Sequence, residues 1–301
     1  MQDEPISISI EENIVPKIIF IIPYRNREAH LENFRNHMKM VMEDYPASSY
    51  KYMIIHQQDT REFNRGAMKN IGFIVATKLY PNDYKKITFV FNDVDNMPAH
   101  KNMLPYETTQ NKIKHFYGYN YTLGGIISVL GSDFEHIGGF PNFWGWGYED
   151  NMLQQRAIAA GIVIDRDIFF KINDTENIIH FEHGTERIMN KFDFEKYSKK
   201  TNEGLYTIYK MEYNIDEATD FINVTDFKTG YEEVKQAKFV HDLRNGNRPL
   251  QYNRRNPRSP MQLGEQSYNQ AQTYRDVQTG ATPALIQFSK PPRARKNMHF
   301  L

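Results

Sequence analysis

Lys17-Ile18-Ile19-Phe20-Ile21-Ile22, followed at once by Pro23-Tyr24-Arg25-Asn26-Arg27, is the stretch on which the fold turns. An unbroken apolar run of strand length reads as a strand covered on both faces, the situation of a parallel sheet between helices. Working outward, Leu31, Phe34, His37, Met38, Val41 and Met42 recur every three or four positions, so residues 28–44 are expected to be a helix. Tyr52-Met53-Ile54-Ile55-His56 is a second buried strand. Phe63-Asn64-Arg65-Gly66 leads into a helix with Ala67, Ile71, Ile74, Val75 and Leu79 on its apolar face. Ile87-Thr88-Phe89-Val90-Phe91 is a third strand, and it runs into Asn92-Asp93-Val94-Asp95. Strand, helix, strand, helix, strand is the pattern of an open α/β sheet, whose ligands bind beyond the carboxyl ends of the strands. The polar clusters at 23–27, 57–65 and 93–95 are therefore expected to converge on one edge.

Further on, residues 118–147 are rich in glycine and aromatics and predict short irregular strands and a mobile loop. Residues 149–161 predict a helix, and Ile178-Ile179 the inner part of a short strand. From about residue 236 the apolar pattern fades into a Gln-, Asn- and Arg-rich tail. This gives a catalytic-sized domain over 1–235 and a basic extension over 236–301. No internal repeat is visible.

The chain has 301 residues, 40% of them apolar, and zero formal charge. That is enough for one sizeable core and gives no electrostatic case for nucleic acid. The charge is uneven: residues 241–301 hold eight Arg and two Lys against two Asp and one Glu, a net of +7. With no cysteine, no apolar leader and no membrane-spanning run, the expectation is a soluble protein of a reducing, cytoplasmic compartment. The sequons at Asn120, Asn173 and Asn223 then carry no meaning unless the chain is exported. Abundant Asn, Lys, Ile and Tyr is the composition of an AT-rich genome, viral or otherwise.

Chemistry concentrates in Gly139-Phe140-Pro141-Asn142-Phe143-Trp144-Gly145-Trp146-Gly147-Tyr148-Glu149-Asp150-Asn151, which holds both tryptophans. A glycine-loosened aromatic loop ending in two carboxylates reads as poor core material and good sugar-site material: indole stacks on a pyranose face, glycine admits close approach, and a carboxylate can serve as base. The bland reading of Glu149-Asp150 is a helix start favoured by the dipole. Asp93 and Asp95, as alternate residues at a strand end, can face one pocket and suit a divalent cation holding a diphosphate; the alternative is a solvated acidic turn. His180 and His183, three apart, would complete a mixed nitrogen and oxygen site suited to Mn²⁺, Zn²⁺ or Fe²⁺, or are unrelated surface groups. Arg25, Arg27 and Arg65 are candidate phosphate contacts or solvated loop charges.

Taken in order, residues 23–27, Phe63-Asn64-Arg65, Asp93-Val94-Asp95, Gly124-Gly125, Gly139-Phe140-Pro141-Asn142, Trp144-Gly145-Trp146-Gly147, Glu149-Asp150 and His183 resemble the β-1,4-galactosyltransferases over about residues 16–200. The resemblance implies an inverting, metal-dependent enzyme with a GT-A fold, a Rossmann-like open mixed sheet flanked by helices. Its donor would be UDP-galactose or a related UDP-hexose, and its acceptor a glycan or glycoprotein. It implies that Pro23, Tyr24, Arg25, Arg27, Phe63, Arg65, Asp93, Val94, Asp95, Thr122, Gly125 and Trp146 serve the donor. Asp150 would be the base and Glu149 its neighbour in the sugar site. Trp146, Glu149, Asp150 and Asn151 would meet the acceptor, and Asp95, His180 and His183 would hold Mn²⁺ or another divalent ion.

There are departures from the family pattern. Asn151 stands where members carry another acid. His180 replaces a methionine ligand, which broadens metal tolerance. Thr122 replaces an aromatic residue that restricts the donor, so UDP-GalNAc can be admitted beside UDP-Gal and UDP-Glc. Residues 185–197 match the acceptor pocket weakly, with Lys191-Phe192 the remnant, and the membrane anchor and cysteines of Golgi members are missing. The rival readings are a non-catalytic UDP-sugar- or glycan-binding relative and a metal-dependent hydrolase.

Overall fold

The computed structural model describes residues 14–182 and 184–245. Along the chain run β1 (Ile18–Tyr24), α1 (Glu28–Val41), β2 (Tyr50–Gln57), α2 (Arg65–Leu79), β3 (Thr88–Asn92), β4 (Asn96–Pro98), β5 (Lys112–Gly118) and β6 (Ile126–Leu130). Then follow α3 (Gly131–His136), α4 (Glu149–Ala159), β7 (Val163–Asp165), β8 (Phe170–Lys171), β9 (Ile178–His180), β10 (Glu186–Asn190), α5 (Lys191–Ser198), β11 (Tyr209–Asp216), β12 (Phe221–Lys228) and β13 (Lys238–Asp242). The chain divides into two units, residues 1–240 and 241–301. Of the second, which holds most of the expected basic extension, only 241–245 are described.

The main sheet has the order β11-β12-β2-β1-β3-β6-β5-β7, with β8 beside β5. β12, β2, β1 and β3 are parallel neighbours, while β6 is antiparallel to both β3 and β5. The sheet is therefore mixed, as expected. Every residue of β1 is buried. Its alternate side chains divide between two cores, because successive strand residues point to opposite faces. Ile19 and Ile21 join the α2 side, and Ile18, Phe20, Ile22 and Tyr24 the α1 side. Each isoleucine so removed from water contributes about 2 kcal/mol. β1 leads through α1 to β2 on one side, and β2 leads through α2 to β3 on the other. The order reverses beside β1, which opens a crevice at the carboxyl ends of these strands.

Two sequence expectations are corrected. The segment 118–147 contains the regular elements β6 and α3. The aromatic loop is largely core: Trp144 has no exposed surface, and Phe140, Phe143 and Tyr148 are buried with it. Trp144 stacks on Phe227 at 5.4 Å, donates from Nε1 to the Tyr231 carbonyl at 3.1 Å and lies under the Arg61 guanidinium at 4.8 Å. Its indole thus has an apolar face, a cation and a partner for its N–H, all from the protein. Only Trp146 of the pair is open, at 39% exposure. β11 and β12 extend the sheet beyond β2, in a region for which no element is expected above. Among the described residues no helix is long and apolar enough to cross a membrane.

Candidate active site

Helix α2 starts where the crevice opens. Asn64 caps it, accepting from the Ala67 amide at 2.9 Å, and the Asn64 amide donates to Gln57 Oε1 at 2.8 Å at the end of β2. Gly66 permits the close contact that follows, since a Cβ there would lie 2.1 Å from the Pro141 carbonyl oxygen. One turn later, Asn70 bonds Phe140 through both its backbone groups and reaches Asn142 at 2.9 Å. The Gly-Phe-Pro-Asn motif is thus a structural clamp that brings the start of α4 against the start of α2.

The result is one compact ion cluster. Arg65 donates to Asp93 from Nε at 2.9 Å and Nη2 at 2.6 Å. Its Nη1 donates to Glu149 at 2.8 Å and to both oxygens of Asp150 at 2.9 Å. Lys69, one turn along α2 and 1% exposed, places Nζ 3.6 Å from Asp93 and 3.6 Å from Asp150, with the Phe140 ring at 4.5 Å. Two cations thus face three carboxylates. Burial works against the Arg65 charge, but the three carboxylates outweigh it and raise its pKa well above the ordinary value. Burial would lift Asp93, yet the charges of Arg65 and Lys69 hold it at about 2. Glu149 moves upward, through burial and then through the charge of Asp150. Its Oε2 is buried without a hydrogen-bond partner. Tyr148 caps α4 in a left-handed conformation (φ 70°) with no side-chain cap bond. The Glu149 and Asp150 carboxylates meet Arg65, and the Glu149 carboxylate also meets its own amide at the helix start.

Residues 122–125 form the facing wall. The Leu123 amide donates to the Asp150 carbonyl at 3.0 Å, and the Asp93 amide to the Gly125 carbonyl at 3.3 Å. A Cβ on Gly124 would lie 2.4 Å from Asp150 Oδ2. Thr122 is buried and its hydroxyl donates to the Tyr119 carbonyl at 3.3 Å.

The expectation that residues 93–95 continue the strand is corrected. β3 ends at Asn92, and 93–95 form a turn closed by the Asn96 amide on the Asp93 carbonyl at 3.1 Å. The Asp93 side chain goes to Arg65, and the Asp95 carbonyl accepts from the Phe181 amide at 2.9 Å. Here β4 pairs with β9, placing Asn96 opposite His180. His180 Nδ1 lies 2.6 Å from Asn96 Oδ1. With Nδ1 donating to Asn96, Nε2 is the nitrogen left to face a metal. A carboxylate and an imidazole, the groups Asp95 and His180 carry, suit a borderline or hard divalent ion. Among the described residues no three acidic, His or Cys side chains surround one metal-sized position. The third expected ligand, His183, lies outside the described residues.

Arg25 donates to the carbonyls of Asp59 and Arg61, which joins the 23–27 cluster to the 57–65 cluster. Pro23 and Val94 are buried, and Phe63 packs on the core. Tyr24 is 4% exposed and meets the rings of His56 and Phe221 at 5.1 and 5.5 Å. Arg27 and Asp95 both lie within electrostatic reach of Arg187, whose pKa falls through burial and then through Arg27. Arg187 sits 5.6 Å from the Trp146 ring, and the Trp146 amide donates to the Ile188 carbonyl at 2.8 Å. The open indole is thus tied to β10. Asn151 is half-buried on α4. Sequence reasoning passed over Lys69, although a lysine four positions after Arg65, inside an otherwise apolar helix, was a visible signal.

Two family models match this chain: the N-terminal region of glycosyl transferase group 7 over residues 12–107, and the N-terminal domain of galactosyltransferase over residues 105–184. Mouse β-1,4-galactosyltransferase 5 is 29% identical over 223 residues, covering 69% of this chain and 55% of that protein. The xylosylprotein 4-β-galactosyltransferase of Caenorhabditis elegans is 31% identical over 181 residues, 57% of this chain and 60% of that protein. The chain spans about half the length of the first of these. The catalytic domain of Drosophila β1,4-galactosyltransferase 7, solved with xylobiose, superposes with a TM-score of 0.55 at 20% identity, covering 74% of this chain and 98% of that one. A mutant of the same enzyme, solved with manganese, UDP-Gal and xylobiose, gives 0.52 at 19% identity, with the same coverage. The sheet order and these superpositions show the GT-A fold. With the motifs of α2, the β3 turn and α4 assembled into one cluster, and with both family models matched in succession, the chain belongs to the β-1,4-galactosyltransferase family.

Proposed function

We propose that this chain transfers galactose, or a related hexose such as GalNAc or Glc, from a UDP-sugar to a hydroxyl of a glycan or glycoprotein, with inversion at the anomeric carbon. The observation that carries the reading is Arg65, which joins Asp93 at the nucleotide end of the crevice to Glu149 and Asp150 at the sugar end. The relatives named above are β-1,4-galactosyltransferases, and one neighbour was solved with manganese, UDP-Gal and xylobiose.

Asp95 and His180, with His183, would hold a divalent ion such as Mn²⁺, which neutralises charge on the departing diphosphate when bound. Arg65 and Lys69 hold Asp150 in place at the rim formed by residues 122–125. The acceptor oxygen bonds the anomeric carbon as the bond to UDP breaks, and Asp150 takes the hydroxyl proton. Trp146, the open indole, covers the sugar and excludes water, which favours transfer over hydrolysis. Glu149 anchors Arg65 at the sugar end of the crevice.

The test is a panel of UDP-sugars with Mn²⁺ and a panel of acceptors including xylobiose, the product anomer being read by NMR. A β-linked product from UDP-Gal is expected. Release of free sugar that no acceptor stimulates would replace this reading with a hydrolase.

A further inference from the structure

His115 lies on β5 with no exposed surface. Its Nε2 is 3.0 Å from the carbonyl oxygens of both Tyr117 and Gly124. Carbonyls only accept, so Nε2 carries the proton and serves both. Its Nδ1 is 3.0 Å from Nε of Arg166. A guanidinium only donates, so Nδ1 accepts. The ring is held neutral in a single tautomer, and burial together with the Arg166 charge lowers its pKa to about 4.

Arg166 completes the arrangement. Its Nη2 donates to Gln154 Oε1 at 2.7 Å and to the Thr122 carbonyl at 3.3 Å. The Phe169 ring covers His115 at 4.8 Å and the guanidinium at 5.7 Å. Among the described residues Arg166 pairs with no carboxylate; its partners are neutral groups on β5, on α4 and in the 122–125 wall. Those partners bracket the wall: Thr122 from Arg166, Leu123 from the Asp150 carbonyl, Gly124 from His115 and Gly125 from the Asp93 amide. Gln154 lies one helical turn beyond Asp150 on α4, so the network ties the wall to the helix that carries the base.

We propose that His115, Arg166 and Gln154 form a positioning network that sets the distance between the 122–125 wall and Asp150, and through it the size of donor sugar the site accepts. Thr122 and Gly124 face the sugar only if the function proposed above is right, and the inference rests on that reading. His115 and Arg166 touch no substrate; they act through the carbonyls of Thr122 and Gly124. Loss of His115 takes a donor from the Gly124 carbonyl, and loss of Arg166 takes one from the Thr122 carbonyl and leaves His115 Nδ1 unpaired, so in either case the wall must shift.

The experiment compares kcat/KM for UDP-Gal and UDP-GalNAc in the full chain, in Arg166→Met, in His115→Phe and in the double variant, with Arg166→Lys as the conservative control. A shift of about tenfold in the ratio of the two donors is expected in each single variant, the scale at which small shape changes in a pocket discriminate. The double variant should shift no further, and Arg166→Lys should recover part of the change. An unchanged ratio would overturn the proposal even if total activity fell, because a purely structural role lowers both donors alike. Histidine-labelled ¹⁵N NMR of the wild-type chain provides an independent arm. An Nε2–H tautomer at pH 6 with an acceptor-shifted Nδ1, lost in Arg166→Met, supports the network. A charged or Nδ1–H ring overturns it. This arm holds whether or not any donor is turned over, so failure of the transferase reading is separable from failure of the network.

Discussion

Arg65 donates through a single nitrogen, Nη1, to both carboxylate oxygens of Asp150 at 2.9 Å while its other two nitrogens grip Asp93. The proposed base and the proposed nucleotide end of the crevice therefore share one rigid planar group. The shape of a guanidinium spaces these carboxylates, and the clamp of Asn70 on residues 140–142 brings them within its reach.

Arg65→Lys keeps the charge but cannot reproduce three sets of bonds. It is expected to lower kcat/KM for transfer by at least tenfold, and Arg65→Met to destabilise the fold by about 3 to 5 kcal/mol by leaving buried carboxylates unpaired. Chemical denaturation and initial rates check both. Wild-type rates in Arg65→Lys would show that charge alone matters.

Gly124→Ala would thrust a Cβ to 2.4 Å from Asp150 Oδ2. The expected outcome is loss of transfer by about a hundredfold with UDP affinity kept, since misplacement of a reacting group by about 1 Å costs on that order. Titration of UDP binding against transfer rate separates the two. Equal loss of both would mean that the wall supports the fold and not the base.

His115 sets a pH dependence. Its folded pKa of about 4 lies below the 6.5 of an unfolded histidine. The unfolded chain therefore binds the proton first, so stability contributed by the neutral ring is whole above pH 6.5 and is lost as pH falls towards 4. The loss approaches roughly 3 kcal/mol. Urea midpoints at pH 7, 6, 5 and 4 should fall steeply in the wild type and less steeply in His115→Phe. Parallel slopes would contradict the buried neutral ring.

The proposed metal set predicts that chelation removes transfer and that added Mn²⁺ restores it. His180→Ala should raise the Mn²⁺ concentration needed for half-maximal rate by about tenfold or more. His180→Met should restore part of the affinity while narrowing the range of ions that work. An unchanged Mn²⁺ requirement in His180→Ala would remove His180 from the set.

The strands and helices around β1 were legible because their apolar patterns have strand and helix periods that only one architecture satisfies. Arg65, Asp93, Glu149 and Asp150 were each visible, but their union was not, because nothing in local spacing shows that Asn70 clamps the 139–142 segment onto α2. Trp144 was misread for the same reason: its partners Phe227 and Tyr231 lie more than eighty residues away. The alternation of Tyr209, Met211, Tyr213 and Ile215 in β11, and of Ile113, His115 and Tyr117 in β5, was a strand signal present in the sequence and not used.

The most direct measurement is UDP release from UDP-Gal with Mn²⁺, with and without acceptor, in the wild-type chain and in Asp150→Asn. The account predicts acceptor-stimulated release in the wild type and a loss of about a hundredfold or more in Asp150→Asn, with UDP binding nearly unchanged. Full acceptor-dependent turnover in Asp150→Asn would contradict it.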